Sequence, residues 1–146
     1  MTDATSKIIL EYISTHGEEV LLEKLNQSSL ESTKILTIIC NQGVHPLNDL
    51  HKRGEVFYAS QGNLDFSDEV QAINAITQVL KKVAKKLKSH SWEKVYLVPF
   101  GPAVLSMQIK NLVYRVLHID TIDILHIGNG IHVDIEIDSR DIAVEA

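Results

Sequence analysis

Hydrophobic spacing along the chain changes near residue 34. Before it, Ile8, Ile9, Tyr12 and Ile13 recur at helical spacing, as do Val20, Leu21 and Leu25. His16-Gly17 stops the first run, so residues 3–27 predict two short helices. The polar stretches Gln27-Ser28-Ser29 and Ser32-Thr33 read as a linker. This divides a helical arm, residues 1–30, from a single α/β domain, residues 31–146.

Beyond residue 34 the pattern belongs to strands and longer helices. Ile35-Leu36-Thr37-Ile38-Ile39-Cys40 is β-branched and almost continuously apolar, as in a strand buried on both faces. Asn41-Gln42-Gly43-Val44-His45-Pro46 follows as a loop, and Val56-Phe57-Tyr58-Ala59 is a second strand. Residues 67–88 form the clearest helix, with Val70, Ile73, Ile76, Leu80, Val83 and Leu87 as its apolar stripe. Ser67 is its expected N-cap. The lysines near its end read as a solvated face matched to the helix dipole rather than a phosphate patch. Lys94-Val95-Tyr96-Leu97-Val98 is a third strand and enters Pro99-Phe100-Gly101-Pro102, where proline favours the first turn of a helix ending near Leu117.

Residues 122–127, the turn Gly128-Asn129-Gly130 and residues 131–137 predict a closing hairpin. Ile131, Val133, Ile135 and Ile137 alternate with His132, Asp134 and Glu136. The tail 138–146 is expected to fray or to lie between subunits. Together these elements predict a three-layer α/β sandwich, with parallel strands central and the hairpin at one edge.

Composition narrows the class. With 146 residues, 45% of them hydrophobic, the chain can bury a core without metal or disulfide staples. A net charge of −5 argues against a general DNA or RNA binder but leaves room for a small anion held by backbone amides. One cysteine, no membrane-length apolar run and no signal-peptide pattern at the start lead to a cytoplasmic expectation.

The strongest candidate site is the strand–turn–helix at Pro99, Phe100, Gly101, Pro102 and Ala103. Ligands of open α/β sheets bind beyond the carboxyl ends of the strands, and a helix N-terminus there offers amides to an anion. Asn41, Gln42 and His45 follow the other well-marked buried strand and would share that edge. Ser106, one turn into the helix, and Lys110 are further candidates. Phe100 either stacks on a base or plugs the core. Cys40 ends an apolar strand with no activating helix after it, so it reads as structural rather than nucleophilic.

The histidines depend on hairpin register. A two-residue turn sets His126 opposite Val133. A three-residue turn sets His126 opposite His132 and beside Asp134, the one register that would gather two imidazoles and a carboxylate. The reading taken is an exposed strand face, with no metal, no cofactor and no catalytic constellation.

The run Val95-Tyr96-Leu97-Val98-Pro99-Phe100-Gly101-Pro102-Ala103-Val104-Leu105-Ser106-Met107 resembles the strand–turn–helix of SAVED domains. Residues 122–125 and 130–137 resemble that family's closing strands. The likeness covers about 94–137 well and 67–93 loosely; residues 1–60 match only in their order of elements. SAVED domains belong with CARF domains, Rossmann-like modules that sense cyclic oligonucleotides in bacterial antiviral defence. A SAVED domain looks like two fused CARF-like halves, and this chain is long enough for about one. It also carries Gln108-Ile109-Lys110 where the family often has a glycine, and no effector domain is expected within these 146 residues. The resemblance therefore implies a non-catalytic cyclic-oligonucleotide sensor or sequestering module. Such a half would act as a homodimer, a head-to-tail oligomer or with a separate effector chain, without DNA or membrane. The alternatives are a ring nuclease that linearises the ligand and a ligand-free interaction subunit docked through its arm. Gly101→Glu is the substitution expected to block ligand while sparing assembly.

Overall fold

The computed structural model describes residues 3–32, 34–43 and 46–146. The chain forms two compact units, residues 1–33 and 34–146. The first is a pair of helices, α1 (Asp3–His16) and α2 (Glu18–Ser32), broken at Gly17 as the sequence predicts. Helix α2 continues through the polar stretch that reads as a linker.

The second unit is α/β. Its strands are β1 (Ile35–Ile39), β2 (Glu55–Tyr58), β3 (Lys94–Val98), β4 (Ile122–Gly128) and β5 (Ile131–Ile135). Its helices are α3 (Glu69–Leu87), α4 (Ala103–Leu117) and the short α5 (Ser139–Glu145). The tail expected to fray is thus helical, with the Asp138 side chain accepting from the Arg140 amide. The sheet runs β2-β1-β3-β4-β5, parallel except for β5.

Connection handedness decides which face each crossover covers. The steps from β2 to β3 and from β3 to β4 run one way across the sheet, so right-handed crossovers carry α3 and α4 over the same face. There Leu36, Ile38, Val95 and Leu97 meet Val79, Val83 and Leu87 of α3 and Leu105, Ile109 and Val113 of α4. The step from β1 to β2 runs the other way and belongs to the opposite face. Among its described residues it contains no α-helix, only an irregular segment with a 3₁₀ turn, Asp49–His51. On that face Leu47 and Phe100 pack against Ile39, Tyr96, Val98, Ile122 and Ile124. Within this unit the third layer of the expected sandwich is therefore this connection, not a helical layer.

Two boundaries differ from the periodicity. Asp68, not Ser67, caps α3, accepting from the Gln71 amide at 2.8 Å, while the Ser67 hydroxyl donates to Asp65. Val70 and Ile73 remain exposed and Val79 takes a buried place, so the stripe packs only along its carboxyl two-thirds. Among the terminal lysines, Lys86 pairs with Glu55 on β2.

Thr37 is the polar residue inside β1. Its hydroxyl donates to the Arg53 carbonyl at 2.6 Å and accepts from the Arg53 amide at 3.0 Å, pinning the end of the β1–β2 connection to the sheet. Arg53 extends this tie, stacking its guanidinium 4.3 Å from the Tyr96 ring centroid and donating twice to Asp134 on β5. Thr37→Val keeps the volume and leaves both Arg53 backbone groups unpaired, so chemical denaturation is expected to show a loss of about 2 kcal/mol.

Candidate functional site

In the order β2-β1-β3-β4-β5 the chain reverses its direction of travel between β1 and β3. That reversal opens a crevice at the carboxyl ends of the two strands, the usual ligand position in open α/β sheets. The ends carry Asn41 and Gln42 after β1 and Pro99, Phe100, Gly101 and Pro102 before α4. Cys40 donates its amide to the Val98 carbonyl at 3.0 Å, holding the two ends side by side.

Asn41 is the buried hinge of this edge, 8% exposed. Its Nδ2 donates to the Gly62 carbonyl at 2.8 Å, whereas its Oδ1 is buried and has no partner among the described residues. A Cβ on Gly101 would come within 2.7 Å of the Asn41 Cβ, and Gly101 has φ +88°. Glycine is thus required twice over, for its backbone and for the closeness of the strand ends. Gln42 exchanges backbone bonds with Ser60 and Gly62, which leaves its exposed side chain beside a cavity of about 240 Å³ lined also by Asn41, Tyr58, Lys52 and Phe100. Pro102 occupies the N-cap of α4 with no side-chain cap, so the first-turn amides of Ala103, Val104 and Leu105 carry no capping bond.

A neighbouring cavity of about 390 Å³ joins Pro99, Phe100 and Gly101 to Pro46, Gly130, His126 and His132. Phe100 thus lines both cavities as well as packing on the sheet. His126 does stand opposite His132, through an irregularity between His126 and Gly128. Their ring centroids lie 5.0 Å apart, and the ring of His51 lies 5.6 Å from that of His132. Asp134, on the same face of β5, is held by Arg53. Among the described residues no group of three or more metal-ligating side chains is arranged to hold a cation. Desolvation, reinforced by His126 and His51, holds the His132 imidazole below its ordinary value.

The structure thus brings together Asn41, Gln42, Pro99, Phe100, Gly101, Pro102 and Ala103. His45 lies outside the described residues. Ser106 and Lys110 do not join the others. Ser106 is buried, and its hydroxyl has no hydrogen-bond partner among the described residues. Lys110 instead ties α4 to the start of β4, donating to Thr121 Oγ1 and Asp123 Oδ2, each at 2.8 Å. Helical spacing placed both residues on α4 without revealing which way each faces. The sequence does not mark the imidazoles as ligand residues, because their meeting depends on the hairpin irregularity and on the β1–β2 connection.

Burial pushes the Cys40 thiol from 9.0 up to about 12. Because the folded state holds this proton more tightly, its contribution is constant below pH 9.0 and is lost as pH rises towards 12. The native thiol is expected to resist iodoacetamide at pH 8 and to react readily in denaturant. Rapid labelling of the folded chain would contradict this burial.

No family model, curated protein or solved structure matches the chain. Among the described residues no helix is long and apolar enough to cross a membrane.

Proposed function

We propose that residues 34–146 form a non-catalytic binding module for a cyclic oligonucleotide, seated at the carboxyl edge between β1 and β3. The observation that carries this reading is the crevice at the chain reversal, bordered by Gly101 and the uncapped start of α4. A phosphate lies against the amides of Ala103 and Val104, a base stacks on Phe100, and Asn41 Oδ1 accepts from a ligand hydroxyl or amine. The SAVED and CARF resemblance of residues 94–137 supplies the ligand class and the setting in bacterial antiviral defence. It also supplies the mode of action, as a homo-oligomer or with a partner effector.

Thermal unfolding against cyclic di-, tri- and tetranucleotides tests the reading. A ligand at 100 times its Kd stabilises the fold by about 2.7 kcal/mol, a shift of several degrees for a domain of this size. A flat panel with folded protein would overturn the proposal in favour of an interaction subunit.

A further inference from the structure

We propose that His126 and His132, backed by His51, form the oxyanion subsite of the cavity beside Phe100, binding a phosphodiester or similar strong-acid anion with uptake of a proton. This deepens the ligand reading above and rests on it for the identity of the natural ligand.

The three imidazoles come from separate parts of the chain: the 3₁₀ turn, β4 and β5. Among the described residues, His126 and His132 are the titratable side chains lining the cavity; the other described walls are proline, glycine and phenylalanine. His51 stands behind His132, and the Phe100 ring lies 6.1 Å from it. The Nδ1 atoms of His51 and His132 are both buried without a hydrogen-bond partner among the described residues.

The charges around the cluster specify what the cavity accepts. The 3₁₀ turn and its exit contribute His51 and Arg53, β3 contributes Tyr96, β4 contributes His126, and β5 contributes Asp134. The carboxylate is already neutralised by two hydrogen bonds from Arg53, at 2.7 and 2.9 Å. The imidazoles are therefore left without a counter-charge of their own, and protonating one raises the cost of protonating the next. An oxyanion in the cavity removes that cost. Its oxygens accept from the newly protonated nitrogens, so anion and proton bind cooperatively and each raises the affinity of the other. The adjacent phosphate position at α4 lies across Gly101, which lines this cavity too.

Sulfate is a suitable probe for the full chain, because its charge is fixed between pH 5 and 8. Imidazole Cε1–H titrations by NMR, in chloride and in sulfate at matched ionic strength, read the coupling directly. The expected result is a rise of about half a pH unit or more in the His126 and His132 midpoints, with His90 and His118 as references. His132→Asn, which keeps the shape and loses the titration, is expected to abolish the rise at His126 without a large change in melting temperature. Midpoints that move no more than those of His90 and His118 overturn the subsite.

Repeating the cyclic-nucleotide panel at pH 6 and pH 8 separates the two proposals. A sulfate response with a flat nucleotide panel upholds the oxyanion subsite and removes the nucleotide reading. Nucleotide binding that ignores both pH and His132→Asn upholds that reading and removes the subsite. Binding that tightens severalfold at pH 6 and loses this dependence in His132→Asn supports both.

Discussion

Gly54→Ala is expected to destabilise the 34–146 unit by about 3–5 kcal/mol, enough to unfold a domain of ordinary stability. Gly54 precedes β2 with φ +64°, and a Cβ there would overlap the Ile35 carbonyl oxygen and lie 2.7 Å from its carbonyl carbon. The obstacle is backbone of β1, which cannot rotate away as a side chain would. Gly62 provides a matched control, with φ +65° and nothing within 4 Å of the Cβ position. Gly62→Ala carries only the dihedral cost, about 1 kcal/mol. The difference between the two urea midpoints measures the overlap by itself; equal costs would show that β1 and the connection are not so closely apposed.

Gly101→Ala is the second large effect, at about 3 kcal/mol, combining the left-handed backbone cost with displacement of Asn41. The loss should appear in urea unfolding and be accompanied by loss of any nucleotide response. Gly101→Glu therefore disturbs folding as well as the site and is a poor way to separate binding from assembly. Gln42→Ala is cleaner, since the strand contacts of Gln42 run through its backbone. Its expected stability change is within about 0.5 kcal/mol, so a weakened ligand response would report on the exposed side chain.

The sequence makes the central elements legible because local signals agree there. Ile35–Ile39 and Lys94–Val98 are apolar enough to require burial on both faces, and Pro99 to Pro102 announces a strand turning into a helix. Gln42 and Gly101 reach one edge because β1 and β3 pair in parallel, with Ile39 beside Val98. What stayed hidden depends on longer range. No local pattern in residues 41–54 says that this connection covers a sheet face, and Thr37 alone hints that something polar must meet β1. Nor does helical spacing distinguish the buried Ser106 from a residue facing ligand. His126 and His132 meet through one irregular residue in a hairpin, which shifts the facing partners without altering the alternating pattern.

The pairing of Ile35 with Lys94 has a consequence for synthesis. Strand β1 is made before both of its neighbours, and β3 emerges roughly sixty residues later, several seconds at ordinary translation rates. During that interval the apolar Leu36, Ile38 and Ile39 have only β2 and then α3 as partners, and lack the central pairing with β3 and the cover of α4. Cover is completed only when β3 and then α4 follow. A nascent chain halted before residue 94 thus keeps one edge of β1 unpaired, a site for a chaperone.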